Sequence, residues 1–182
     1  MKKLFVIIIS LMVMSSCTST KEARSTRAEQ RKEKKLTDQA QVKMAVEAKR
    51  YMIKFDRVYS TFGRRVDLIP RANFMIVDRD RAILNTAYMG RQYDIRPIAA
   101  INIHGRASNY TVTDNTSKGS YEISMKVDNG GPNTFSVIIS IGRNGNCSAS
   151  VSSIKIDNVR YEGYLVPIMD KADSPSQAGN PI

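Results

Sequence analysis

Tyr121-Glu122-Ile123-Ser124-Met125-Lys126-Val127 carries an apolar side chain at every odd position and a polar one at every even position. Successive side chains of a strand point to opposite faces of a sheet, so this segment has one face for a core and one for water. The next run repeats the pattern, with Phe135, Val137, Ile139 and Ile141 on one face and Ser136, Ile138 and Ser140 on the other. Asn144-Gly145, a preferred pair for a type I′ hairpin, leads into Cys147-Ser148-Ala149-Ser150-Val151, which alternates again. Asp78-Arg79-Asp80 and Asn129-Gly130-Gly131-Pro132 read as further reversals. Strands are also expected at 64–69, 73–78, 81–86, 98–113 and 159–167. About six to eight short strands without intervening helices predict an antiparallel meander, either a sandwich or an open barrel.

Upstream the period changes. Leu36, Ala40, Met44, Ala48, Tyr51, Phe55, Val58 and Phe62 follow one another at intervals of three or four, the spacing of one helix face. Thr37 or Asp38 can cap its start, and Gly63 punctuates its end. The expected class is therefore α+β, mainly β, with an N-terminal amphipathic helix over 36–62 packed on a β body over 63–170. At 182 residues the chain has room for one such domain, 36–170. Residues 171–182, with Ser174, Pro175, Gly179 and Pro181, read as a flexible tail.

The first residues read as an address. Met1-Lys2-Lys3 is cationic, Leu4 to Met14 is apolar except for Ser10, and Ser15-Ser16-Cys17 follows. The apolar run is shorter than the roughly 20 residues of a spanning helix, and a charged start with small residues after it is an export signal. Ser15-Ser16-Cys17 resembles a bacterial lipobox, which makes residues 1–16 a lipoprotein signal peptide and Cys17 the lipidation site. Residues 17–35 then form a basic tether. The stretch 21–57 holds twelve basic and six acidic side chains, most of the excess charge of the mature chain. Beside a lipid anchor such a segment suits anionic headgroups, worth roughly 1 kcal/mol per well-placed charge. No aromatic residues interleave the cationic run, so nucleic acid is not an expected partner.

Little catalytic chemistry is legible. A single histidine excludes sites built from several imidazoles, and two cysteines exclude a four-thiolate zinc site. With Cys17 acylated, Cys147 has no partner and shares a strand face with Ala149 and Val151, as an inert buried thiol would. There is no Gly-x-Ser-x-Gly and no Gly-rich phosphate loop. Asp78 and Asp80 fall far short of a calcium shell. No cofactor and no metal is expected. One polar constellation stands out: Asn102, His104 and Arg106 share a face of the 98–113 strand, opposite Ile101, Ile103, Gly105 and Ala107, where they can meet a ligand or water.

Asn73-Phe74 before an apolar strand, Ile103-His104-Gly105-Arg106 leading to Tyr110, Asn144-Gly145-Asn146 with Ala149 and Val151, and Gly163-Tyr164-Leu165-Val166-Pro167 stand out as a set. With the basic segment after a lipobox, they resemble small Bacteroidota envelope proteins carrying domain of unknown function 4251, over roughly residues 36–169. The loop Tyr93–Ile98 departs from the Gly-rich segment common there. The resemblance implies a helix with a β body and an envelope location, and brings no activity. Thr18-Ser19-Thr20-Lys21-Glu22 lacks the acidic cluster of a surface-export tag, so the expected location is the periplasmic side of the outer membrane, with the cell surface as the alternative. The expected function is a non-catalytic binding or structural module. It would be held to the membrane by lipid and tether and would meet a glycan, an apolar ligand or another envelope protein. The competing class is an envelope hydrolase or transferase whose dispersed carboxylates converge on His104.

Overall fold

Among the residues described by the computed structural model, which are 19–60, 63–91, 99–131 and 133–168 (helix side chains from Glu29 onward), nine strands form one antiparallel sheet. The strands are β1 (Arg50–Tyr59), β2 (Arg65–Asp67), β3 (Phe74–Asp78), β4 (Arg81–Ala87), β5 (Ala100–Asn115), β6 (Ser120–Asp128), β7 (Thr134–Gly142), β8 (Asn146–Ser153) and β9 (Ile156–Pro167). From β3 to β9 each strand pairs with its successor, as a meander should. The ends then meet: β1 pairs with β3 through residues 50–54 and with β9 through residues 51–59. Eight strands therefore close into a barrel, and β2 lies outside the ring against Arg57–Tyr59. The expected sandwich or open barrel is corrected to a closed barrel; closure removes the unpaired edges that an open sheet would expose. The signal segment 1–16, Cys17, the loop Tyr93–Ile98 and the tail 171–182 lie outside the described residues.

The helix expected over 36–62 is also corrected. A single helix, α1 (Ser19–Glu47), covers most of the basic tether and stops at residue 47; residues 50–59 are strand β1. Tyr51, Ile53 and Phe55 alternate inward, and a β-bulge between Phe55 and Arg57 then shifts the register so that Val58 is buried as well. One bulge turned a period of two into the spacing 51, 55, 58 that imitates a helix face. The real end of α1 lacks the usual glycine. Lys49 takes the left-handed φ of 54° in its place and its carbonyl accepts the Arg79 amide at 2.8 Å. Leu36 and Met44 of the proposed stripe are exposed, and the buried helix side chains are Val42, Ala45 and Val46, which join the barrel core. The chain divides into two compact units after Thr37, and these three residues belong to the second. In the first, the side chains from Glu29 to Thr37 are exposed.

The barrel interior is filled by the inward side chains of every ring strand. Ile53, Phe55, Met75, Val77, Ile123, Val137, Ile139, Ile141, Ala149, Val151, Val159 and Tyr161 are all fully buried. Each large apolar side chain so placed contributes roughly 1.5–3 kcal/mol. The outward faces of β6, β7 and β8 carry Glu122, Ser124, Lys126, Ser136, Ser140, Ser148 and Ser150 instead. Apolar inside and polar outside is the reverse of a barrel that faces lipid. No described helix is long and apolar enough to cross a membrane.

Two glycines allow the ring to close. A Cβ on Gly105 would collide with the Asp128 carbonyl, and one on Gly163 with the Lys54 carbonyl. Gly163 lies beside the register shift of β1–β9, and Gly105 just outside the end of the β5–β6 ladder. The reversal at Asn144-Gly145 falls where expected, yet Gly145 alone has a positive φ, 84°, and its amide bonds to the Gly142 carbonyl at 2.8 Å. The turn is thus not type I′: it is a four-residue turn closed by a left-handed glycine.

Candidate functional site

Asn102, His104 and Arg106 all point outward from β5 and are exposed. Their cross-strand neighbours on β4 are Asn85, Ile83 and Arg81. Asp80, Arg81, Ile83, His104, Gly105 and Arg106 line a shallow groove, in which Asp80 Oδ2 lies 3.7 Å from Arg106 Nε. The structure therefore does gather the three residues on one surface. It gives His104 a single carboxylate in that groove, and that carboxylate is already engaged by Arg106. Among the described residues no cluster of three or more His, Cys, Asp or Glu could hold a metal ion. The Cys147 thiol is buried, donates to the Gly145 carbonyl at 3.2 Å and is pushed up to about 12 by burial, which disfavours the thiolate.

A second groove, not anticipated from sequence, is better organised. The β1 bulge places two consecutive side chains, Asp56 and Arg57, on or near the outer surface, both a little over one-third exposed. Arg57 Nε donates to Asp56 Oδ1 at 3.1 Å while Nη1 lies 3.3 Å from Glu162 Oε2. Tyr59 donates its hydroxyl to the same Glu162 oxygen at 2.9 Å. Arg160 holds Oε1 of Glu162 at 3.5 Å and stacks its guanidinium over the Tyr59 ring at 4.3 Å. The hydrogen bond to Asp56 keeps the Arg57 guanidinium above its ordinary range. From this network the register runs Arg57–Glu162–Ser148–Ser140 across β1, β9, β8 and β7. The neighbouring row pairs Tyr164 with Asn146. Small outward residues between a bulky Tyr164 and a long Arg57 leave a hollow of about 360 Å³ over the backbone of Cys147 and Gly163. The signal available in sequence was the adjacent opposite charges Asp56-Arg57, but a bulge has no marker that distinguishes it from a helical period.

The other residues that carry the resemblance serve architecture. Asn73, buried, donates to the Ile69 carbonyl at 2.9 Å and accepts the Ala87 amide at 2.8 Å, tying the loop before β3 to the end of β4. Tyr110 meets the buried Tyr51 hydroxyl at 3.2 Å beside the β5 bulge, with Lys49 above its ring. Gly105 and Gly163 make the close approaches already described.

A closed, water-facing eight-stranded barrel whose core includes the end of a helix, with polar grooves outside and no metal cluster among the described residues, defines the class of this protein. The family follows from comparison. The model of the Domain of unknown function (DUF4251) matches residues 33–165, and the chain belongs to that family. A crystal structure of a DUF4251 family protein from Bacteroides eggerthii DSM 20697 is similar in fold, with a TM-score of 0.60 at 14% identity, covering 72% of this chain and 88% of that one. No curated protein matches the chain.

Proposed function

We propose that this chain is a lipid-anchored cell-envelope protein, acylated at Cys17, whose barrel works as a non-catalytic binding or structural module on the periplasmic side of the outer membrane. The observation that carries the reading is the pairing of an export signal ending in Ser15-Ser16-Cys17 with a barrel that is apolar inside and polar outside. Such a body belongs in water, so attachment to a membrane falls to the lipid and the basic segment that follows it. The non-catalytic part is supported by the filled interior, the deeply buried Cys147 and the single, ion-paired carboxylate beside His104. The competing hydrolase would need a second carboxylate converging on His104, and Asp80 is the one that lines its groove.

The test is metabolic labelling with a palmitate analogue and fractionation of cells carrying the native chain or Cys17→Ser. The native chain should incorporate label and sediment with membranes, and the variant should do neither. Native protein without label, or a variant that stays with membranes, defeats the anchoring. Protease shaving of intact cells separates the periplasmic side, where the chain survives, from the cell surface, where it is lost.

A further inference from the structure

We infer that the groove over β7, β8, β9 and β1 is a saccharide-binding site, taking one sugar unit against the Arg57–Glu162–Ser148–Ser140 row with Tyr164 at its rim. The inference rests on the reading of the barrel as a binding module and names the chemistry of its ligand; it does not depend on acylation.

Three features carry it. The first is shape: about 360 Å³ is at the small end of pockets that hold small molecules, roughly 300–1,000 Å³, and it exists because outward positions are Ser140, Gly142 and Ser148 and not longer residues. The second is preorganisation. Glu162 accepts from Tyr59 and is ion-paired to both Arg57 and Arg160, while Arg57 also holds Asp56, so donors and acceptors are fixed before a ligand arrives. A β-bulge leaves its extra residue outside the strand pairing, and here it sets Asp56 and Arg57 side by side.

The third is chemical selectivity. A sugar presents vicinal hydroxyls that each donate and accept, which suits a carboxylate, a guanidinium, two serine hydroxyls and the Asn146 amide on one surface. Its apolar ring face suits the exposed Tyr164 ring. An anion would meet the Asp56 and Glu162 carboxylates, and an apolar ligand would strand the polar floor; both are disfavoured.

The experiment is an NMR titration of the full chain in detergent with D-glucose, D-galactose, D-mannose and N-acetyl-D-glucosamine, each as the probe itself. At least one should give saturable shifts of backbone amides at 140–148 and 162–164. Ser148→Leu fills the hollow from an outward position and should abolish those shifts, and Glu162→Gln should weaken binding about tenfold or more. Lys126→Gln, on the outer face of β6 between Ser108 and Ser136 and outside the groove, should bind as the native chain does. Absence of saturable shifts with all four sugars, or binding that survives Ser148→Leu, overturns the inference. Melting curves of each variant identify any loss that comes from unfolding, and Glu162→Gln, which removes charge and keeps volume, supplies the second reading. None of these outcomes bears on the palmitate label at Cys17, so failure here and failure of the anchoring remain distinct.

Discussion

The rings of Phe55 and Tyr161 pack with centroids 5.1 Å apart and planes tilted by 36°, joining inside the barrel the two strands, β1 and β9, whose pairing closes it. Both side chains are fully buried. Removing one ring deletes apolar burial and leaves a cavity that close-packed neighbours fill only in part. Phe55→Ala should lower stability by about 3–5 kcal/mol, whereas Lys32→Ala on the exposed helix should change it by no more than about 0.5 kcal/mol. Melting of the two variants beside the native chain checks this; equal small effects would mean that the closure does not depend on the β1–β9 core.

Gly163 is a second point at which closure can be tested. A methyl group there would overlap the Lys54 carbonyl, which is backbone and cannot step aside without parting the strands. Gly163→Ala should cost about 1–3 kcal/mol, the usual range for overpacking. Gly131→Ala, where the nearest atom is the Asn129 Oδ1 at 3.4 Å, should be nearly neutral. Denaturant titrations of both would show the contrast, and matched midpoints would contradict the close approach.

Alkali should destabilise the barrel in a defined window. Burial pushes the Cys147 thiol up to about 12, and it also raises Tyr51 and Tyr161, with the Tyr110 hydroxyl adding to the effect at Tyr51. For groups raised in the folded state, the unfolded chain loses its protons first. Stability is then fully present below the unfolded thiol value of roughly 8.5 and falls as pH rises from there toward the folded values. Melting temperature should be level from pH 7 to 8 and decline from pH 9 upward, with the tyrosines adding above about pH 10. Cys147→Ala should remove the earliest part of the decline. In the native chain an aqueous thiol reagent at pH 8 should label Cys147 only after unfolding; prompt labelling would contradict its burial.

Arg79 occupies the turn between β3 and β4 with a φ of 56°, a left-handed conformation that costs a side-chain-bearing residue about 1–2 kcal/mol. Glycine relieves that strain but has more freedom to lose from the unfolded chain, so Arg79→Gly should stabilise by only about 0.5–1 kcal/mol. Its amide keeps the bond to the Lys49 carbonyl, which does not depend on the side chain. A lower melting temperature for the variant would show that the arginine side chain contributes more than its backbone costs.

The sequence by itself determined the strands from β3 to β9, because period-two alternation is a local property: the same residues that face inward in Tyr121–Val127 and Phe135–Ile141 could be named without any partner in view. It also marked Asn102, His104 and Arg106 as one outward face, since strand residues two apart cannot do otherwise. The family resemblance was legible in residue identities alone, although Asn73, Gly105, Tyr110 and Gly163 act across strands, against Ala87, Asp128, Tyr51 and Lys54. Three things were decided only by tertiary structure. The first strand has no local signature, because a bulge opposite Gly163 and a left-handed Lys49 replace the signals that normally separate strand from helix. Closure of the sheet depended on β1 meeting β9 more than a hundred residues later, a pairing that no local pattern specifies. The polar groove followed from both, because Arg57, Glu162, Ser148 and Ser140 share a row only once four strands have fallen into register, and register is set by the packing of the core beneath them.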